Sequence, residues 1–145
     1  MSEPRTDGGV AEPDGGGAVA TRIGRALIVT LPPELSDATL ASLRGGVLAR
    51  LRGERSRAIV FEASGLDMID ADEFADLSAV ARSAAWLGVR PMLVGLSAGI
   101  VGYLVNGGVD TGAFEPYRTL EDALATLPPA GADAADGPPG GATAP

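Results

Sequence analysis

Short apolar segments and longer amphipathic segments follow one another along the middle of the chain. Apolar runs predict strands over 26–31, 58–61 and 91–94. A weaker strand over 18–23 precedes the first of these and is joined to it through Gly24-Arg25. The run at 58–61 contains no polar residue, which is typical of a central strand that is buried on both faces.

The segments between and after the three apolar runs carry apolar residues at helical spacing and begin at residues that can cap a helix. The predicted capping residues are Ser36 or Asp37, Asp70, Ser97 and Thr119. Asp70 is followed three residues later by Glu73, which resembles a capping box. Gly88 is suited to end the helix that Asp70 begins. The spacing therefore predicts four helices that pack against the strands.

This order of elements predicts the fold class and the domain limits. Strands that alternate with helices indicate a single α/β domain, with a mostly parallel or mixed sheet of four to five strands and about four helices. Residues 18–127 are numerous enough to build one hydrophobic core. The flanking segments, 1–17 and 128–145, consist largely of Gly, Pro, Ala and Asp, and we expect both to be disordered tails.

The composition excludes most enzyme classes. The 145 residues include no Cys, no His and no Lys, so all 11 basic residues are Arg. A Cys or Lys nucleophile, an imidazole base, a thiolate or imidazole metal site and a P-loop lysine are therefore all excluded. We expect a protein that is not an enzyme, with no catalytic residue, no cofactor and no metal.

The charge and the hydropathy of the chain limit the classes of partner that it is expected to bind. The formal net charge of −8 argues against nucleic acid. The longest apolar stretch, Leu96–Val105, is too short to cross a bilayer, and the N-terminus lacks the features of a signal peptide. We therefore expect a cytoplasmic protein with no membrane contact. A local basic run is either a solvated helix end or a partner contact. Its members are Arg44, Arg50, Arg52, Arg55 and Arg57.

The most distinctive segment is acidic and extends from the end of the strand at 58–61 into the start of the helix that follows it. It holds six acids and no base: Glu62, Asp67, Asp70, Asp72, Glu73 and Asp76. The simplest interpretation is helix capping, with favourable interactions between the acids and the helix dipole. An EF-hand loop starting at Asp70 would need Gly and Glu where Ala75 and Ala81 stand. Phosphoenzyme chemistry of the haloacid-dehalogenase type requires a Lys, which the chain lacks.

Several segments together resemble a known family. Gly65-Leu-Asp-Met-Ile-Asp-Ala71 follows a buried strand, Ala84–Gly95 has the pattern of a helix, a turn and a strand, and Ser97-Ala-Gly-Ile begins a helix. Asn106–Val109 and Tyr117–Ala123 continue the same order. In sequence and spacing these segments resemble STAS domains of the anti-sigma factor antagonist type, and especially the small scaffold proteins of the stressosome.

The resemblance implies a protein-binding switch. In that family a partner kinase phosphorylates a Ser or Thr at the start of the second helix, and the added charge alters partner affinity. The matching position here is Ala71, which has no hydroxyl and cannot be phosphorylated. The implied partner-binding residues are Asp67, Met68, Asp70, Ala71, Asp72, Glu73 and Asp76. The implied partners are an anti-sigma-type serine/threonine kinase, other STAS proteins or both, in a homo- or hetero-oligomer.

An alternative from another class is a sensor module without catalysis that binds a small ligand or a nucleotide at the same helix start. The six acids around that site argue against an anionic ligand.

Some single residues also carry predictions. Phe74 and Trp86 are expected to be core anchors. Ser64 is expected in a turn and Ser78 on an exposed helix surface. A close packing contact is expected to explain Gly45-Gly46 within the first helix, since each Gly there costs about 1 kcal/mol.

Overall fold

The computed structural model describes residues 18–129. The predicted tails at 1–17 and 128–145 lie outside these residues, apart from positions 128 and 129. The strands are β1 (Val19–Ile23), β2 (Ala26–Thr30), β3 (Ala58–Glu62), β4 (Arg90–Val94) and β5 (Glu115–Tyr117). The helices are α1 (Asp37–Ser42), α2 (Leu48–Gly53), α3 (Ala71–Trp86), α4 (Ala98–Asn106) and α5 (Leu120–Leu124). A π-helical segment, Leu43–Val47, connects α1 to α2.

The strands form one sheet in their order along the chain, β1-β2-β3-β4-β5. Strands β2 to β5 are parallel, and β1 pairs antiparallel with β2. The hairpin closes on Ile23 and Ala26 through Gly24, whose φ of +58° suits a tight turn. The predicted mixed α/β sheet is confirmed, and β1 forms its antiparallel N-terminal edge.

Two apolar clusters cover the two faces of the sheet. The larger cluster joins one face to helices α1 to α4, and its sheet residues are Leu27, Val29, Ile59, Phe61 and Leu93. The smaller cluster joins the other face to α5 through Ala123, and its sheet residues are Ala26, Ile28, Ala58, Val60, Met92 and Val94. Both faces of the central strand β3 are therefore buried, which agrees with its uninterrupted apolar sequence.

The helix starts agree with the capping pattern. In each case the side chain of the N-cap residue accepts a hydrogen bond from the backbone N–H three residues on, and these residues are Ser36, Asp70, Ser97 and Thr119. Gly88 has a φ of +82° directly after the α3 C-cap, as predicted.

The predicted packing contact at Gly45-Gly46 is wrong. A Cβ added to either glycine would meet nothing within 4 Å. Both residues lie in the π-helical segment, where the wider turn departs from the regular helix that the apolar spacing predicts.

Two predictions about side chains on α3 are also wrong. Trp86 is 90% exposed, because it follows the buried Ala84 by two residues and so lies about 200° around the helix from it. Ser78 is only 2% exposed, because it lies one helical turn after Phe74 and shares its buried side. Phe74 is a core residue, as predicted.

Candidate functional site

The candidate site is the loop that follows β3 and the first turns of α3. Buried side chains of Leu66 and Ile69 fix this loop to the core. The backbone N–H of Asp67 donates to the carbonyl of Pro33 at 2.9 Å. Two buried side chains and one backbone hydrogen bond therefore fix the loop. Its polar residues lie on the outer surface.

The start of α3 is fixed by reciprocal hydrogen bonds. Asp70 Oδ1 accepts from the backbone N–H of Glu73 at 2.7 Å, and Glu73 Oε1 accepts from the backbone N–H of Asp70 at 2.9 Å. This is the capping box that the sequence predicts. Ala71 is the first helical residue and is exposed.

An aromatic cluster secures the same helix start from the core side. Phe114 contacts both Phe61 at the end of β3 and Phe74 in the first turns of α3, with ring centroids 5.6 and 5.5 Å apart. The Phe61 pair is close to perpendicular, a favourable edge-to-face arrangement. Phe114 lies in the loop before β5. Its ring contacts therefore connect that loop, the end of β3 and the start of α3 within the core.

The structure brings all seven predicted partner-binding residues to this loop and helix start. Those exposed to solvent are Asp67, Met68, Asp70, Ala71, Asp72 and Asp76, and we call this set the acidic surface. Glu73 is half-buried beside them. Met68 is 57% exposed, and so adds an apolar contact to a carboxylate-rich area. None of the ion pairs between described residues includes an acid of this surface. Its negative charge is therefore available to a partner.

Glu34 is a neighbour of this surface that no sequence pattern indicates. It is exposed and directly follows Pro33, whose carbonyl contacts the backbone of Asp67. The contact joins positions more than thirty residues apart along the chain. No local pattern signals such a pairing, so only the structure reveals it.

Ser64 lies in the strand-to-helix loop, as predicted, but its hydroxyl also has a defined partner. It donates to the carboxylate of Glu62, with Oγ–Oε2 and Oγ–Oε1 distances of 2.7 and 3.0 Å. Gly95, after β4, has a φ of +79°, and a Cβ there would lie 3.0 Å from Glu62 Oε2. The carboxyl ends of β3 and β4 are therefore tightly packed beside the site.

One member of the basic run has a structural role. Arg50 Nε lies 3.0 Å from Glu54 Oε2, and Arg22 Nη1 lies 2.7 Å from Glu54 Oε1. These pairs connect the end of α2 to β1. The other four members, Arg44, Arg52, Arg55 and Arg57, are exposed, and a partner contact at them stays a prediction.

Residues 18–129 contain neither a cluster of metal ligands nor a membrane-spanning helix. This part of the chain has no group of three or more acidic side chains arranged to hold a metal ion. Its helices are also too short or too polar for any of them to span a bilayer.

Comparison with known proteins shows similarity at the level of structure. No family model matches the sequence, and no curated protein does. A variant of RsbS from Moorella thermoacetica superposes with a TM-score of 0.62 at 18% identity, covering 74% of this chain and 97% of that one. A structure of the stressosome, a signal integration and transduction hub, gives a TM-score of 0.66 at 20% identity, covering 81% of this chain and 98% of that one. The chain has the STAS fold.

The anti-sigma factor antagonist SpoIIAA, in its unphosphorylated form, shares the STAS fold with this chain. Its TM-score is 0.62 at 14% identity, and the match covers 76% of this chain and 95% of that one. The similarity extends over nearly the whole of each of these three proteins. The fold that the motif order implied is confirmed.

Proposed function

We propose that this protein is a cytoplasmic regulatory domain that acts by binding other proteins through the acidic surface. The observation that carries the proposal is the rigid presentation of acids that form no ion pair within the described chain, next to the exposed Met68. Charge complementarity across an interface speeds association and selects partners. The fold supports this role, since it is shared with an anti-sigma factor antagonist and with a stressosome protein.

The proposed partners are an anti-sigma-type serine/threonine kinase, other STAS proteins, or both. A partner with a basic contact surface fits the acidic surface by charge. Nucleic acid and anionic lipid do not fit, because their phosphates would be repelled. The activity is association rather than catalysis, which agrees with the absence of Cys, His and Lys from the sequence.

Ala71 determines how such a switch would operate in this chain. It is exposed at the first position of α3, in the middle of the acidic surface. A hydroxyl there would be accessible to a kinase, but alanine has none. We therefore propose that binding through this surface is constitutive, with Asp72 supplying a permanent charge one residue on.

The ligand-binding alternative is less consistent with the geometry. An anion at a helix N-terminus binds the free backbone N–H groups there. At α3 the Glu73 carboxylate already accepts a hydrogen bond from the N–H of Asp70, and the Asp70 carboxylate accepts one from the N–H of Glu73. The surrounding carboxylates would also repel a nucleotide.

A matched pair of charge reversals tests the proposal. Asp72 and Glu121 are both exposed acids at the second position of a helix, so Asp72→Arg and Glu121→Arg lose a similar helix-dipole interaction. Partners captured from the source cells by tagged protein would be identified and quantified by mass spectrometry. We expect the wild type and Glu121→Arg to retain a kinase or a STAS protein, and Asp72→Arg to lose most of it. Equal capture by all three proteins would contradict a role for the acidic surface.

A further inference from the structure

The hydrogen bonds of β2 determine which backbone groups of β1 face outward. The Arg25 carbonyl accepts from Arg57 N–H at 2.7 Å, and Leu31 N–H donates to the Glu62 carbonyl at 3.0 Å. Odd-numbered residues of β2 therefore face β3, and even-numbered residues face β1. From the register, Val19, Thr21 and Ile23 bond to β2. The N–H and C=O groups of the two residues between them, Ala20 and Arg22, point away from the sheet.

A side-chain contact supports this orientation. Arg50 Nη1 reaches the Ala20 carbonyl at 3.4 Å, so that carbonyl is accessible from outside the sheet. The opposite edge is less suited to pairing, because β5 has only three residues and the central one, Pro116, lacks an N–H. The β1 edge is therefore where another strand could extend the sheet.

The side chains of β1 are arranged symmetrically about Thr21. Val19 and Ile23 are 47% and 45% exposed, and they lie on the same face of the sheet as Thr21. This is the face on which α5 packs over β3 and β4. On the opposite face, Ala20 packs against the main core. Two separated apolar side chains on an edge strand are thus left partly uncovered, with a polar residue midway between them.

We propose that the β1 edge pairs with β1 of a second copy of this chain, antiparallel and with Thr21 on the two-fold axis. Val19 then lies opposite Ile23 of the second copy, and Ile23 opposite its Val19. Ala20 lies opposite Arg22 of the second copy, so the outward N–H and C=O groups of both strands are hydrogen-bonded. The two sheets become one continuous sheet of ten strands, twice the five in one copy.

Other registers that use the same outward groups fit less well. An axis at Arg22 places two guanidinium groups directly opposite each other, which is unfavourable across a strand pair. An axis at Ala20 places Arg22 beyond the first residue of β1 in the second copy. The backbone of Arg22 then has no partner within that strand. In the Thr21 register, Arg50 loses only its 3.4 Å contact with Ala20 and keeps its 3.0 Å ion pair with Glu54.

This inference is independent of the proposed partner surface, which lies at the carboxyl end of β3 and at the start of α3. It can be tested by single cysteines, because the natural sequence has none. In the proposed register, Thr21 faces its own counterpart in a pair without direct hydrogen bonds, where Cα atoms lie about 4.5 Å apart. That separation permits a disulfide. Val19 and Ile23 lie about 13 Å from their own counterparts, four residues along the strand.

The experiment compares Thr21→Cys with Val19→Cys and Ile23→Cys under mild oxidation at equal concentration. We expect Thr21→Cys to form a disulfide-linked species of twice 14.5 kDa at least tenfold faster than either control. Sedimentation should show dimers for the wild type. Val19→Lys/Ile23→Lys should give monomers, because it places like charges opposite each other. Val19→Glu/Ile23→Lys should restore dimers, because it places opposite charges there.

Two outcomes would overturn the proposal. A wild-type protein that remains monomeric at several hundred micromolar has no such interface. A wild-type dimer in which Thr21→Cys links no faster than the controls is assembled through another surface or in another register. Circular dichroism of every variant confirms that the fold is retained before either conclusion is drawn.

Discussion

Arg90 holds the carboxylate of Glu115 with two hydrogen bonds, Nη2–Oε1 at 2.7 Å and Nε–Oε2 at 3.1 Å. The pair joins the start of β4 to the start of β5 and is the side-chain connection that secures the shortest strand. Tyr117 donates to the same carboxylate at 3.1 Å. The Arg90 hydrogen bonds, opposed by partial burial, lower the pKa of Glu115 below its ordinary value near 4.5.

The lowered pKa of Glu115 predicts a pH-dependent contribution to stability. A carboxyl whose pKa is lower in the folded state stabilises the fold above its unfolded pKa, and this contribution is lost as the pH falls through the folded value. Because both side chains are about 40% exposed, we expect Glu115→Gln to cost no more than about 1 kcal/mol at pH 7. Urea unfolding at pH 7 and pH 3 should show a smaller difference between wild type and variant at the lower pH. The same difference at both pH values would mean that the ion pair contributes nothing.

Substitution by Ala at two glycines is expected to change the stability of the protein in opposite directions. At Gly95, with φ +79°, an added Cβ would lie 3.0 Å from Glu62 Oε2 and 3.1 Å from the backbone of Ser64. We expect Gly95→Ala to destabilise the protein by about 1–3 kcal/mol. Gly102 lies within α4, where a Cβ would meet nothing within 4 Å. Gly102→Ala should stabilise the protein by about 0.4–1 kcal/mol. Thermal unfolding of both variants would show whether their midpoints move in opposite directions.

The buried hydroxyl of Ser78 predicts a stabilising substitution. Its Oγ is fully buried and has no hydrogen-bond partner in the structure of residues 18–129. An unsatisfied buried hydroxyl costs about 1–3 kcal/mol, whereas alanine fills nearly the same space without a polar group. Ser78→Ala should therefore raise the free energy of unfolding by about 1 kcal/mol, as measured by urea denaturation. A decrease would indicate that the hydroxyl makes a hydrogen bond in solution.

The sequence predicts a helix or strand correctly where the contacts that form it join residues close together in the chain. The capping box of Asp70 and Glu73 could be predicted because both partners lie within four consecutive residues. The sequence does not predict strand β5, because its three residues include Pro116 and it depends on pairing with β4. The exposure of Trp86 follows from its angle around the helix relative to the buried Ala84, whereas its hydrophobicity alone predicts burial. The position of Glu34 beside the acidic surface depends on a long-range backbone contact, which no local sequence pattern indicates.

The substitution Ala71→Ser would restore a hydroxyl at the first position of α3 and tests the proposed correspondence with the family's phosphoacceptor. The side chain is exposed, so the change should cost only a few tenths of a kcal/mol. On incubation with the captured kinase and ATP, we expect the variant to gain one phosphate at residue 71 and the wild type to gain none there. The added charge of about −1.5 to −2 should change the affinity for the partner, because it lies between Asp70 and Asp72.

Ala75→Ser is the matched control for this experiment, because position 75 is exposed on the same side of α3, one turn further from its start. A kinase that recognises the start of the helix should phosphorylate the serine at 71 and leave the serine at 75 unmodified, as intact-mass spectrometry and peptide mapping would show. If neither serine is modified, the correspondence of Ala71 with the phosphoacceptor position is wrong. Phosphate on the wild type at Ser64 would instead place the modification in the loop before α3, where it would disrupt the 2.7 Å hydrogen bond to Glu62. Ser78 cannot account for such a phosphate in the folded protein, since its hydroxyl is buried.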